Sequence, residues 1–267
     1  METKQNELAN LRLAVLIDAD NAPRNCIKGV IQEIAIYGTP TIKRIYGDWT
    51  SPTIGGWKNS LLENAITPIQ QYGYTTGKNS TDSAMIIDAM DILYQEKTDG
   101  FVIVSSDSDF TRLAIRLREA GKRVIGIGEK KTPNPFIVAC DKFIYIENIR
   151  AHTLAQEQCE DSLTKPAEKK AVKSQKKSDR QAVPEEIVML IADSIADIAD
   201  DDGYAYLGEL GNLLLKKQPA SDARNYNFAK LTPLIKSLPR FEVDVRLTAD
   251  ANIKHMYVRD REATLVS

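Results

Sequence analysis

Val102-Ile103-Val104-Ser105-Ser106-Asp107-Ser108-Asp109-Phe110 is an apolar run that stops abruptly at aspartates, and T-R-L-A-I-R-L-R-E-A-G-K, residues 111–122, follows at once. A short apolar run bounded by turn-forming residues reads as a buried strand. Leu113, Ile115 and Leu117 among arginines read as a helix closed by Gly121. The unit is therefore strand, acidic corner, helix. The same arrangement stands earlier as L-A-V-L-I-D-A-D-N, residues 13–21, with Asp18, Asp20 and Asn21 after an apolar strand. Ligands of open α/β sheets bind beyond the carboxyl ends of strands, so two acidic strand ends in one domain predict one acidic site.

Working outward, strand candidates at 11–17, 41–46, 67–72, 123–128 and 142–146 alternate with helix candidates at 23–37, 57–66, 81–94 and 136–140. That alternation predicts an α/β domain with a mostly parallel sheet and helices on both faces, ending near Ile149. Parallel strands bring their carboxyl ends to one edge. Asp18, Asp48 and Asp107 fall there, and Asp82 approaches from the mouth of a helix. Several of these acids have a plainer use. Asp82 and Asp109 can each cap a helix, Asn21 can cap the helix opened by Pro23, and Asp88 and Asp91 can be a solvated face. Asp20 can point away from Asp18, because neighbouring strand positions face opposite sides. Ser105 and Ser106 read as turn-formers, with no activating histidine nearby.

The chain has 267 residues, enough for one ordinary domain and one small one, and 43% of them are hydrophobic. A net charge of -2 offers no broad electrostatic footprint for nucleic acid, so any such binding has to come from local patches. Cys26, Cys140 and Cys159 lie far apart without C-x-x-C spacing, and His152 and His255 are isolated. That argues against a disulfide framework, a structural zinc site and a Ser-His-Asp triad, and fits a reducing compartment. Neither a signal-peptide layout nor an apolar stretch of membrane-spanning length is present, so the reading is a cytoplasmic protein with no membrane partner.

From 150 to 182 the composition turns to Glu, Lys, Gln and Ser. This segment reads as a charged linker whose lysines (Lys165, Lys169, Lys170, Lys173, Lys176 and Lys177) either solvate it or attract phosphates. Beyond it, residues 183–267 form a second domain. Helix candidates near 185–199, 206–216 and 227–237 precede an alternating pair, F-E-V-D-V-R and H-M-Y-V-R-D, that reads as a β-hairpin, the order of a winged-helix module.

Carboxylates gathered in one cleft repel by about 4 kcal/mol per pair at 4 Å for an effective dielectric near 20. Proton uptake, basic partners or a bound cation must compensate, and hard divalent cations prefer oxygen ligands. A cation held by aspartates can activate water and steady the leaving oxygen of a phosphodiester, with no need for histidine or cysteine.

The set I-D-A-D-N, K-N-S-T-D-S-A-M-I-I-D-A-M and S-S-D-S-D-F, followed by L-R-E-A-G-K-R-V, resembles the NYN domain of the PIN-like nuclease superfamily over about residues 11–148. The resemblance implies a PIN-like Rossmannoid parallel sheet and a Mg²⁺- or Mn²⁺-dependent site acting on RNA. It puts Asp18, Asp82 and Asp107 in the metal-binding set, with Asn21 and Asp109 supporting. Many relatives have Ser-Gly-Asp where this chain has Ser105-Ser106-Asp107. Such domains often pair, so a homodimer is a family-level expectation. The C-terminal part, through D-D-G-Y-A-Y-L-G-E-L-G-N-L-L and N-Y-N-F-A-K-L-T-P-L-I-K-S-L-P-R-F-E-V, resembles the LOTUS or OST-HTH domain over about Val183–Arg259. That implies binding of RNA or of a protein partner. Relatives commonly carry glycine where Asn227 stands, and asparagine tolerates the same left-handed turn.

The reading is thus a metal-dependent ribonuclease domain, 1–149, joined by the linker to a winged-helix-like RNA-binding or adaptor domain. One rival is a non-catalytic binding protein with a vestigial acidic edge. Another, prompted by Asp18-Ala19-Asp20, is a haloacid-dehalogenase-type phosphatase with Asp18 as nucleophile.

Overall fold

The computed structural model describes residues 11–52, 54–73, 80–150, 183–247 and 254–263. Two compact units, Met1–Pro166 and Ala167–Ser267, divide the chain. The expected linker lies outside the described residues except for Arg150, and the six linker lysines lie outside them entirely.

Among the described residues of the first unit, six parallel strands form one sheet in the order β3-β2-β1-β4-β5-β6. They are β1 Arg12–Asp18, β2 Thr39–Gly47, β3 Thr67–Gln70, β4 Gly100–Val104, β5 Arg123–Gly128 and β6 Lys142–Tyr145. Strands buried on both faces need apolar side chains throughout, which is why β1 and β4 are continuous hydrophobic runs. Leu13, Val15 and Ile17 join Ile27, Val30 and Ile34 of α1 (Ile27–Ile34) and Leu61 of α2 (Lys58–Asn64) in one core cluster. Ala14 and Leu16, of the other parity, are equally buried and face the side on which α3 (Ser80–Tyr94) packs over β1 and β2.

Helix α3 buries Met85, Ala89, Ile92 and Leu93, a stripe at helical spacing. Helix α4 (Thr111–Glu119) buries Leu113, Ala114 and Leu117. It stops where Gly121 takes φ 74 and Lys122 N–H donates to the Leu117 carbonyl at 3.1 Å, the left-handed helix end that glycine permits. Helix α5 (Asn134–Ala139) follows β5 and leads into β6.

Some element boundaries differ from the expectation. The stretch after Pro23 is a 3-10 turn, Arg24–Cys26, before α1 begins, and α1 ends at Ile34 rather than Tyr37. Strand β2 starts earlier than expected, at Thr39, and tolerates Pro40 because its register with β1 shifts there and β3 joins only from Arg44.

In the second unit α6 (Glu185–Ile198), α7 (Leu207–Lys217) and α8 (Leu231–Ser237) pack with a small antiparallel sheet, ordered β7-β9-β8. Its strands are β7 Tyr204–Tyr206, β8 Phe241–Leu247 and β9 Lys254–Asp260. This is the winged-helix order with one strand the periodicity hid. The helix expected from Tyr206 begins one residue later, because Tyr204, Ala205 and Tyr206 pair with β9. The helix expected near Asn227 begins at Leu231, after a 3-10 turn, Ala223–Tyr226, that Asn227 closes at φ 63 and ψ 29. The tip of the β8–β9 hairpin lies outside the described residues.

Candidate metal centre

The strand order reverses at β1, whose neighbours are β2 and β4. Helix-bearing crossovers leave the two sides of such a switch point in opposite directions, so a crevice opens beyond the carboxyl ends of β1 and β4. Ile17 is the register partner of Val104, which sets Asp18 beside Ser105 at the mouth of that crevice.

Asp18 is only 1% exposed. Its Oδ1 accepts the backbone N–H groups of Asp20 at 3.0 Å and Asn21 at 3.3 Å. Its Oδ2 accepts Asn21 Nδ2 and the Ser105 hydroxyl, both at 2.8 Å. A carboxylate offers about four acceptor positions, and here they are all used within the protein. Asn21 therefore orients Asp18, and the 3-10 turn after Pro23 has no side-chain cap.

Ser105 then passes the order on. Its Oγ accepts the Asp107 N–H at 3.0 Å while donating to Asp18. Ser106 Oγ accepts the Glu129 N–H at 2.9 Å, tying the corner to the end of β5. A β-carbon on Gly128 would stand 2.7 Å from the Ser105 carbonyl oxygen, so the corner packs against β5 only because that residue is glycine. Both serines are structural, as their turn-forming character predicts.

Asp107 caps the 3-10 turn Ser108–Phe110, accepting the Asp109 N–H on Oδ1 at 2.9 Å. Capping, offered above as a plainer use of Asp109, is thus the work of Asp107. Asp82 sits in the first turn of α3. One oxygen each of Asp82, Asp107 and Asp109 lie within 4.8 Å of one another. Asp18 is outside that cluster, yet its charge is the first of those that act on Asp82. Asp109, which the resemblance gave a supporting place, shares the cluster with Asp82 and Asp107.

The electrostatics match the crowding. The Asp82 carboxyl is pushed up to about 6 by burial first and then by the charges of Asp18, Asp107, Asp109 and Asp20. That corresponds to about 3 kcal/mol; even halved for solvent screening it exceeds the roughly 0.3–1 kcal/mol by which a helix N-terminus favours an acid. Burial, with Asp18 and Asp48, also raises Asp20. Asp48 shares the sheet edge as expected, but its carboxylate is occupied. Thr50 Oγ1 donates to it at 2.6 Å, Gln70 Nε2 at 2.9 Å and Gly73 N–H at 3.3 Å, which holds it down at about 2. Asp88, further along α3, bonds Arg44 and the Tyr46 hydroxyl of β2 and is structural. Lys78, which the sequence offers as an ordinary loop lysine or a phosphate contact, lies outside the described residues.

A divalent cation fits this donor set. Hard ions bond oxygen at about 2.0–2.6 Å, so oxygens sharing one ion lie no more than about 4–5 Å apart. The three aspartate oxygens are already within that span, and their mutual repulsion, about 3.5 kcal/mol per ionised pair at an effective dielectric of 20, is what a cation would relieve.

Comparison with known proteins agrees with the architecture of both units. The family model described as the NYN domain matches residues 12–147, and the OST-HTH/LOTUS domain model matches residues 179–250. No curated protein matches. Among solved structures, a protein of unknown function from Vibrio parahaemolyticus is 18% identical, with 53% of this chain and 96% of that one covered at a TM-score of 0.45. An uncharacterized protein from Nitrosomonas europaea is 28% identical, with 38% and 93% covered at a TM-score of 0.29. The WlbA dehydrogenase from Bordetella pertussis is 15% identical, with 57% and 40% covered at a TM-score of 0.30. Overlaps this loose fix neither fold nor chemistry. Among the described residues no helix is long and apolar enough to cross a membrane.

Proposed function

The chain belongs to the NYN-domain family, and from that membership we propose that it is a divalent-metal-dependent ribonuclease whose OST-HTH/LOTUS domain helps to hold the RNA. The observation that carries the reading is the convergence of Asp82, Asp107 and Asp109 oxygens at the switch point of the sheet, with the Asp82 carboxyl pushed up to about 6 by its surroundings.

Asp82, Asp107 and Asp109 would hold Mg²⁺ or Mn²⁺. When bound, such an ion activates water and stabilises charge on phosphodiester oxygens. Asp18 adds negative charge beside Asp82 and, through Ser105, fixes the backbone that carries Asp107. Asn21 holds Asp18 in place. Losing a residue that orients a metal ligand typically costs about 10–100-fold in metal affinity or activity. A phosphatase that uses Asp18 as nucleophile fits poorly, because both Asp18 oxygens are buried and already accept hydrogen bonds.

The test is cleavage of a labelled single-stranded RNA by the full chain with Mg²⁺, with Mn²⁺ and with chelator, beside Asp107→Asn. Cutting that needs metal and Asp107 is the expected result. Cutting that survives the substitution removes the acidic centre from the reaction. RNA binding without cutting by the wild type would favour the adaptor reading.

A further inference from the structure

On the same edge of the sheet, Pro23, Arg24, Asn25, Trp57 and Arg150 line an open pocket of about 370 Å³, ample for a phosphate group. The metal centre does not use it. Its residues come from chain segments that meet only in the fold: the turn after β1, the turn before α2, and the residue that follows the core position Ile149.

Two features make the pocket suited to an anion. Arg24 is exposed, its guanidinium lies against Gly56, and among the described residues it makes no hydrogen bond or ion pair. Arg150 donates from Nε to the buried Cys26 sulfur at 2.7 Å, which fixes the guanidinium plane by one edge. Glu129 and Glu147 lie near enough to Arg150 to influence it. Glu129 is paired with Lys131 at 2.6 Å, and Glu147 accepts the Lys130 N–H at 3.0 Å. Trp57, 4% exposed, supplies an apolar wall, and a low-dielectric wall strengthens the field of the charges beside it. Paired guanidinium groups are the side chains best matched to phosphate.

Chain geometry ties the pocket to the aspartates. The Ala22 N–H donates to the Asp18 carbonyl at 2.9 Å, and Cα atoms follow at 3.8 Å, so the Arg24 backbone lies within about 12 Å of Asp18. An RNA strand crossing the carboxyl edge of the sheet at the switch point would meet both.

We propose that Arg24 and Arg150 hold a backbone phosphate of the RNA strand a few nucleotides from the bond presented to Asp82, Asp107 and Asp109. This rests on the RNA-cutting reading of the centre. The site sets where along a strand the acidic centre falls and contributes to binding rather than to bond-breaking.

The test uses the full chain in chelator, so that nothing is cut, and a fluorescent single-stranded RNA in which one linkage at a time is a neutral methylphosphonate. For the wild type, neutralising one particular linkage weakens binding about tenfold, the effect of losing a charge-assisted contact. In R24Q/R150Q affinity falls by a similar factor, and that same linkage no longer matters. The salt dependence also drops by about 0.7 per lost contact. Arg116→Gln, an exposed change of the same charge on α4, leaves the linkage preference intact. Binding by R24Q/R150Q that equals the wild type, or that keeps the wild-type linkage preference, overturns the proposal. So does a wild-type chain that binds no RNA. A chain that shows the linkage coupling but never cuts RNA with Mg²⁺ or Mn²⁺ retains the phosphate site and loses the nuclease reading.

Discussion

Replacing Asp82 with asparagine should stabilise the metal-free protein. The Asp82 carboxyl is pushed from an ordinary 3.8 up to about 6 in the folded chain. An acid raised in this way takes up a proton on folding between those values. Above about 6 its ionised form is a standing cost to the folded state, and below about 4 the cost vanishes because both states are protonated. Two pH decades correspond to about 3 kcal/mol. Asp82 is half-buried, so screening by solvent lowers this to about 1–2 kcal/mol, or about 2–8 °C in melting temperature for a domain of this size.

Thermal unfolding of the wild type and Asp82→Asn in chelator, from pH 4 to pH 8, reads the effect directly. The variant should melt higher at pH 7.5, and the gap should close as pH falls through 6 towards 4. Adding Mn²⁺ should raise the wild type and leave the variant nearly unmoved, because ligand binding to the folded state alone adds stability by mass action. A variant no more stable than the wild type at pH 7.5, with no pH trend in the difference, would refute the argument that crowded carboxylates destabilise the empty centre.

Ser105→Ala removes the donor to Asp18 and the acceptor for Asp107 in one step; urea denaturation should show a loss of about 1–3 kcal/mol, and RNA cleavage should fall with metal present. Asp88→Ala strips Arg44 and the Tyr46 hydroxyl of their shared partner. It should cost about 2 kcal/mol in chemical denaturation, between the values for exposed and buried pairs, while KM and kcat for RNA stay put. Ala65 ends α2 at φ 49 and ψ 52, a left-handed conformation that costs a side-chain-bearing residue about 1–2 kcal/mol; Ala65→Gly should raise the melting temperature.

The strand ends were legible because a parallel sheet buried on both faces writes its strands as unbroken apolar runs, and the aspartates stand where those runs stop. Asp18 and Asp107 could be placed at the crevice on that basis; Asp82, in the first turn of α3, could not. What each acid does there depends on partners distant in the chain. Asp48 is occupied by Gln70 and Gly73, and the Ser105 hydroxyl faces Asp18 across the β1–β4 pairing, neither of which periodicity encodes. Strand β7 escaped because Tyr204-Ala205-Tyr206 runs straight into the helical pattern of α7, and only its pairing with β9 makes it a strand. Arg24 and Arg150 gave no local signal at all.

Asp18 and Ser105 touch although 87 positions separate them in the chain. At about 5–20 residues per second of synthesis, the first acidic strand end emerges roughly 4–17 s before the strand that completes the centre. Throughout that interval a nascent chain carries Asp18 with nothing to orient, and Asp107 and Asp109 do not yet exist outside the ribosome. On the ribonuclease reading the centre is incomplete until the fourth strand has docked beside the first, and a product truncated before β4 lacks Asp107 and Asp109.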